Sequence, residues 1–281
     1  MTRRRTAGEL ERAAARRWGS LARPPMPFAS PSEPLAMLAR RGLTPRPAAL
    51  DLPFPPDLST AHVDHLAALL SHYAFRLFVR GAILAGGPFR PDEASRYVGG
   101  QVAVRMAHEL VRLGLAAPAG NGRYRLVRPA RNFGGVLEWW VGRELGNRLA
   151  AQVATGVRTG DPGLGGDLDV VVALEGKLAY IELKSSPPKH VSREELRAFL
   201  ARVRSLRPHL AVLAVDTALR LGDKVLPDLL RLLPGAVPIR LSRENYRLAP
   251  HLYAVNARQD LVENLCLAVA DGLRALSPEP P

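Results

Sequence analysis

Residues 165–184 read GGDLDVVVALEGKLAYIELK, and this stretch decides the fold prediction. Two apolar runs rich in β-branched residues flank Glu175 and Gly176, a pair that favours a two-residue β-turn. The pattern predicts a β-hairpin made of strands 168–174 and 177–184. A hairpin of this kind fixes which residues of the two strands face each other.

The predicted register places four charged residues on one face of the hairpin. With a two-residue turn, Asp169 lies opposite Glu182 and Asp167 lies opposite Lys184, and facing residues project to the same side. The other face receives apolar side chains only. A three-residue turn would shift the register by one residue, so the shared face depends on the turn. Two facing carboxylates repel each other without a cation, and their oxygens are ligands of divalent ions.

This hairpin resembles that of the PD-(D/E)xK superfamily of restriction-endonuclease-like nucleases, because Asp169 begins an apolar strand and Glu182, Leu183 and Lys184 end the next. The resemblance implies that Asp169 and Glu182 bind Mg²⁺ or Mn²⁺, with the main-chain carbonyl of Leu183 as a further ligand. It also implies that Lys184 positions or activates the attacking water, and that Glu138 supplies another catalytic acid. The predicted catalytic residues are Glu138, Asp169, Glu182 and Lys184, and the implied reaction is metal-assisted hydrolysis of a phosphodiester.

A degenerate site or a structural ion pair at a sheet edge is the alternative interpretation. Acid-x-Lys triplets also arise by chance, and a second one, residues 175–177, lies inside the turn. Asp167 and Glu144 are further candidate acids, and whether either joins the site is open. The order of helix, glycine-rich loop, hairpin and amphipathic helix favours the nuclease interpretation.

Residues 61–130 predict three helices followed by a hairpin. The helices are expected over 61–84, after Pro91 and over 101–113, and the hairpin is expected to turn at Asn121-Gly122. This order resembles the winged helix-turn-helix family, which implies that the third helix enters the DNA major groove. The residues expected to contact nucleic acid are Gln101, Arg105, His108, Arg112, Arg123 and Arg125. The alternative is a solvated polar face on a module that dimerises or links.

Residues 131–281 alternate strands with helices, which predicts an α/β fold. The expected architecture is a restriction-endonuclease-like mixed sheet flanked by helices and preceded by the winged-helix domain. Residues 1–60 are basic and rich in proline, and they predict an arm. The join of the two predicted modules is similar to that in CRISPR-associated and other defence nucleases. Those proteins usually carry an amino-terminal nucleotide-sensing domain, for which residues 1–60 are too short and proline-rich.

The 281-residue chain carries a net charge of +13, mostly in its first half. Such a surplus favours a nucleic-acid partner, although a genome bias toward arginine codons also explains it. The single cysteine, Cys266, excludes a disulfide framework and a cysteine-based zinc site. No secretory signal, bilayer-length apolar run, P-loop or Gly-x-Ser-x-Gly motif is present, which predicts a cytoplasmic protein without a membrane partner.

The sequence therefore predicts a metal-dependent nuclease with DNA as the expected substrate and Mg²⁺ or Mn²⁺ as the cofactor. A homodimer is compatible with this prediction. Two other classes stay open: a non-catalytic DNA-binding regulator that retains a degenerate nuclease fold, and an adaptor that dimerises through its winged helix. The substrate's strandedness and the pathway are not predicted.

Overall fold

The computed structural model describes residues 32–55, 57–161 and 164–277. The predicted arm is therefore described only from Ser32 onward, where helix α1 (Glu33–Ala39) and the two-residue strand β1 (Arg46–Pro47) occur. Met37 and Leu38 of α1 are buried in the core of the following α/β region. The part of the predicted arm before Ser32 lies outside the described residues.

The next region contains the predicted helices and hairpin: α2 (Thr60–Ser71), α3 (Tyr73–Leu84), α4 (Pro91–Ala94), α5 (Gly100–Arg112), β2 (Ala116–Pro118) and β3 (Tyr124–Leu126). The expectation of one helix over 61–84 is wrong, because the chain bends by 106° between α2 and α3. At the bend, the Arg76 guanidinium donates to the main-chain carbonyls of Leu70 and Ser71. These carbonyls end α2 and lack helical partners, so Arg76 stabilises the break.

The hairpin of this region turns at the predicted residues. Asn121 and Gly122 both have positive φ, as a type I′ turn requires.

Among the described residues, no single helix is long and apolar enough to cross a membrane. The bent pair of α2 and α3 passes that test together, by length and composition alone.

The remainder of the chain alternates helices and strands: α6 (Gly134–Leu149), β4 (Gln152–Arg158), β5 (Leu168–Leu174), β6 (Lys177–Lys184), α7 (Arg193–Leu206), β7 (Leu210–Val215), α8 (Val225–Leu232), β8 (Ile239–Ser242), β9 (Asn245–Ala249), β10 (Leu252–Asn256) and α9 (Leu261–Leu276). Eight strands form one sheet in the order β1-β4-β5-β6-β7-β10-β9-β8. β6, β7 and β10 run parallel, and the other neighbouring pairs run antiparallel. The predicted mixed α/β fold with a helix-flanked sheet is confirmed.

Helices cover both faces of this sheet. α6 and α9 pack on one face, and their core is continuous with the buried residues of α2 to α5. α1, α7 and α8 pack on the other face. Because alternate residues of a strand point to opposite faces, the side on which a charged residue lies follows from its position along β6.

The decisive hairpin forms as predicted. Val170 faces Ile181 and Leu174 faces Lys177, and Glu175 and Gly176 occupy a two-residue turn with positive φ. The predicted register is therefore confirmed over the paired residues. Strands β1 and β9 were not predicted, because a two-residue strand and a short strand beside a bulge carry little periodicity.

Candidate active site

Asp169 and Glu182 lie where the β5–β6 hairpin stops pairing. The ladder ends at Val170 and Ile181. One residue beyond it, the main-chain N–H of Leu183 donates to Asp169 Oδ2 over 2.7 Å. The side chain of Asp169 thus replaces a ladder carbonyl as the acceptor, and this bond fixes its carboxylate against the end of β6.

Glu182 lies at the centre of a buried charge network. It is only 3% exposed, its Oε1 lies 3.0 Å from Lys184 Nζ, and its Oε2 accepts from Arg202 Nη1 over 2.7 Å. The hydroxyl of Tyr180 donates to the same Oε2. Tyr180, Glu182 and Lys184 alternate along β6 and share the face that α7 covers, so side chains of α7 can reach them.

Two residues of α7 complete this network. Glu195 Oε1 lies 3.2 Å from Lys184 Nζ, which therefore bridges two carboxylates. Arg202 also donates to the main-chain carbonyls of Leu164 and Gly165 over 2.6–3.0 Å, which ties the glycine-rich loop to Glu182. A Cβ at Gly166 would lie 2.9 Å from Arg202 Nη2, so the close approach of loop and guanidinium favours glycine there.

Glu138 approaches the same end of the sheet from α6. Its Oε2 lies 3.6 Å from the point where a Cβ would stand on Gly156, a residue of β4 with a φ of +58°. Gly156 interrupts the β4–β5 pairing beside Asp169, since its neighbours Thr155 and Val157 pair while it does not. Glu138 makes no hydrogen bond or ion pair with any described residue, so its carboxylate lacks a compensating partner.

Burial and the surplus of negative charge raise the pKa values of two of these acids. Burial, followed by the charges of Asp169, Asp167 and Glu182, raises the pKa of Glu138 to about 8. Burial and the charge of Glu182 raise the pKa of Asp169 to about 7. Burial alone would lower the pKa of Lys184, but Glu182 and Glu195 raise it overall, so Lys184 stays protonated.

The acids fit a divalent cation by their chemistry. Glu138 and Asp169 present carboxylate oxygens that repel each other without a cation, and oxygen donors are what Mg²⁺ takes. Within the part of the chain that the structure describes, however, no group of three or more His, Cys, Asp or Glu residues has a geometry that could hold a metal ion. Glu182 is turned onto Lys184 and Arg202, which explains why it does not join the other two acids.

The other candidate acids have partners of their own. Asp167 accepts from Arg158 over 3.1 Å, rather than meeting Lys184 as the register alone suggested. Glu144 lies on α6 but pairs with Arg143 and Arg148. Asp167 lies close enough to influence Glu138 by its charge, whereas Glu144 belongs to a separate ion-pair group.

The residues expected to contact nucleic acid are exposed: Gln101, Arg105, His108, Arg112, Arg123 and Arg125. They differ in how free they are. Arg112 binds Glu109 and His65, and Arg123 lies 3.5 Å from Glu93. The ring of His108 packs edge-on against Tyr124. Gln101, Arg105 and Arg125 form no side-chain bond with a described residue, so they are the freer members of this face.

Sequence reasoning did not identify Tyr180, Glu195 or Arg202. Period-two spacing from Glu182 places Tyr180 on its face, so this residue had a signal in the sequence. Glu195 forms a capping box with Ser192 at the start of α7, and that local role gives no sign of its contact with Lys184. Arg202 gave no signal, because its contact depends on how α7 crosses the sheet.

Neither the family models nor the curated proteins compared with this sequence match it. Two solved structures have a similar fold. Protein VC1899 from Vibrio cholerae aligns with a TM-score of 0.52 at 14% identity, over 85% of this chain and 62% of that one. Can2 from Sulfobacillus thermosulfidooxidans, solved in complex with cyclic tetra-adenylate, aligns with a TM-score of 0.51 at 15% identity, over 84% of this chain and 60% of that one. This chain therefore spans less than two thirds of either neighbour, and the likeness concerns the fold.

Proposed function

We propose that this protein is a metal-dependent nuclease that hydrolyses phosphodiester bonds of nucleic acid, with DNA as the expected substrate. The observation that carries the proposal is the presence of Glu138, Asp169, Glu182 and Lys184 at one end of the sheet, where Lys184 pairs with Glu182 and the charges of Asp169 and Glu182 act on Glu138. The fold likeness to Can2, whose structure holds an oligonucleotide ring, supports a ligand related to nucleic acid. A role in defence, which the resemblance of the two joined modules to defence nucleases implies, is part of the proposal.

Glu138 and Asp169 would hold the cation, with the Leu183 carbonyl as a further ligand and Glu182 completing the acid set. Bound Mg²⁺ or Mn²⁺ would supply a Lewis acid for the phosphate and lower the pKa of an attacking water. Lys184 acts as a fixed positive charge rather than as a base, because its neighbours keep it protonated. It offsets the charge that develops on the phosphate during attack.

The region from α2 to β3 is proposed to act as a winged-helix module that holds the substrate. Arg105 and Arg125 are exposed without bonded partners among the described residues, which leaves their guanidinium groups available to phosphates or base edges. The predicted boundaries at residues 60 and 130 remain part of this proposal.

The test is cleavage of supercoiled plasmid, single-stranded DNA and single-stranded RNA with Mg²⁺ or Mn²⁺ against EDTA. Lys184→Ala is expected to lower the rate about 100-fold or more, as loss of one charge-stabilising group at a reacting centre does. Lys177→Ala is the matched control, because Lys177 begins the strand that Lys184 ends. Metal-independent cutting, or equal loss in both variants, would contradict the proposal.

A non-catalytic regulator is the second candidate, and one observation favours it. Glu182 is already neutralised by Lys184 and Arg202, and no three-acid metal group exists among the described residues. A regulator would bind nucleic acid with equal affinity in EDTA and Mg²⁺ and would cut none of the three substrates.

A further inference from the structure

Three loops meet at the carboxyl ends of the parallel strands β6, β7 and β10. The main-chain N–H of Asp216 donates to the Lys184 carbonyl over 2.7 Å, which joins the loop after β7 to the end of β6. The N–H of Ala257 donates to the Thr217 carbonyl over 2.9 Å, and Asn256 Nδ2 donates to the Leu219 carbonyl over 2.8 Å. These bonds hold the loops after β7 and β10 beside the strand that carries Lys184.

A cavity of about 570 Å³ opens between these loops. Three exposed cations line it, Lys189, Arg220 and Arg258, and their side chains form no hydrogen bond or ion pair with a described residue. The fourth cation in the lining, Lys224, pairs with Asp228 at 2.6 Å. The lining also holds one exposed acid, Asp223. The three unpaired cations outnumber this acid, so the cavity holds a surplus of positive charge, which favours a phosphate-bearing ligand.

The cavity also has an apolar wall. Leu219 is 59% exposed although it is a large hydrophobic residue, and Pro188 and Ala218 stand beside it in the lining. The bonds made by its own main chain to Thr217 Oγ1 and Asn256 hold Leu219 in this exposed position. Phosphate contacts alone need no apolar surface, whereas the face of an unstacked base does.

The position of the cavity connects it to the candidate active site. Lys189 follows Lys184 by five residues, so their Cα atoms are at most about 17 Å apart. A nucleotide held in the cavity would thus lie within a few nucleotides of a phosphate held at Lys184.

We infer that this cavity binds an unpaired nucleotide of the substrate strand, with its phosphate on Lys189, Arg220 and Arg258 and its base on Leu219. The inference rests on the proposed function and deepens it, since it assigns a single-stranded segment to the substrate beside the cleavage site. A continuous duplex keeps its bases stacked inside and offers Leu219 no base face.

The test is fluorescence anisotropy of a labelled single-stranded 12-mer and of the matching duplex, measured in EDTA at rising salt. Lys189→Ala/Arg220→Ala/Arg258→Ala is expected to make the slope of log K against log salt shallower by about 2 for the single strand, from three phosphate contacts. Leu219→Ala is expected to weaken single-strand binding about fivefold with its salt slope unchanged, and to leave duplex binding unchanged.

The matched control is Lys177→Ala/Arg204→Ala/Arg274→Ala, which removes the same charge from the first residue of β6 and from the last turns of α7 and α9, outside the lining of the cavity. Equal slopes in the two triple variants, loss of duplex binding in Leu219→Ala, or no binding by the unmodified protein would overturn the inference. Because the assay contains no metal, its result is independent of cleavage. If single-strand binding behaves as expected but no metal-dependent cutting occurs, the nuclease proposal is contradicted and the binding site is supported.

Discussion

Two buried charged clusters lie near the same end of the sheet, and they differ in how completely their charge is compensated. In the first, Arg76 and Asp216 are almost fully buried and meet through bonds of 2.8–3.1 Å. The remaining Arg76 nitrogen binds main-chain carbonyls, and the guanidinium lies over the ring of Trp140 at 4.6 Å. In the second, Glu182 pairs with both Lys184 and Arg202, whereas Glu138 and Asp169 pair with neither.

We propose that this difference separates a structural cluster from a ligand site. The pair of Arg76 and Asp216 joins α3 to the end of β7, and its two charges compensate each other. The acid cluster retains surplus negative charge, which raises two of its pKa values and which a bound cation would remove. Burial of charge alone would not distinguish them.

The largest effect is expected from breaking the compensated pair of Arg76 and Asp216. Asp216→Ala should lower the free energy of unfolding by about 3–5 kcal/mol, because it leaves the Arg76 guanidinium buried without its counter-ion. Urea unfolding measures this loss. Asp223→Ala, an exposed acid seven residues later, should change stability by less than about 0.5 kcal/mol. A loss below about 1 kcal/mol in Asp216→Ala would show that this ion pair does not hold α3 to the end of β7.

A smaller effect on stability should follow from removing one acid of the open cluster, by which we mean Glu138, Asp169 and Glu182. Because the folded-state pKa of Glu138 is raised to about 8, the folded protein keeps a proton there that the unfolded chain has already lost. Stability is therefore fully present below about pH 4.5 and falls as pH rises to about 8. Glu138→Gln should remove about 2 kcal/mol of this fall, measured by urea unfolding between pH 5 and pH 9 in EDTA.

The control for the pH series is Glu175→Gln, which alters an exposed acid in the hairpin turn. It should retain the pH dependence of the unmodified protein. Identical pH profiles for Glu138→Gln and the unmodified protein would remove the case for an uncompensated carboxylate at this position.

A substitution of Arg202 tests whether its positive charge offsets the negative charge of the open cluster and so lowers its affinity for a metal ion. Arg202→Gln removes one of the two cations on Glu182, so the remaining negative charge should attract a divalent ion more strongly. We expect Mn²⁺ to bind about tenfold more tightly, equivalent to ~1.4 kcal/mol. Arg197→Ala on the same helix removes an exposed arginine that pairs with Glu194, and it should leave Mn²⁺ affinity unchanged. Weaker binding in Arg202→Gln would mean that the guanidinium supports the metal-bound form.

The smallest effect is expected on the exposed face of α5. Arg105→Ala should make the salt slope of duplex binding shallower by about 1, as the loss of one phosphate contact does. Arg112→Ala should change it less, because Glu109 and His65 already occupy that side chain. Equal effects from the two variants would indicate that the ion pair seen at Arg112 does not persist in solution.

The hairpin and its charged face could be predicted because both are local. Turn chemistry at Glu175 and Gly176 sets the register, and period two then places Glu182 and Lys184 together. The approach of Arg202 and the bend at His72 could not be predicted, since both depend on contacts between residues far apart in the chain. Asp167 shows the limit within the hairpin itself, because beyond the last ladder pair its side chain turned to Arg158.

The most direct test of the central claim, that the acid cluster is a metal site, is calorimetric titration with Mn²⁺ near pH 7 in buffers of different ionisation enthalpy. Binding is expected to release protons, because carboxyl groups with pKa values of about 7 and 8 are partly protonated there. Asp169→Asn should abolish this binding, and Glu144→Gln, which alters an acid held by arginines on α6, should retain it. No Mn²⁺ binding by the unmodified protein, or equal binding by Asp169→Asn, would contradict the claim.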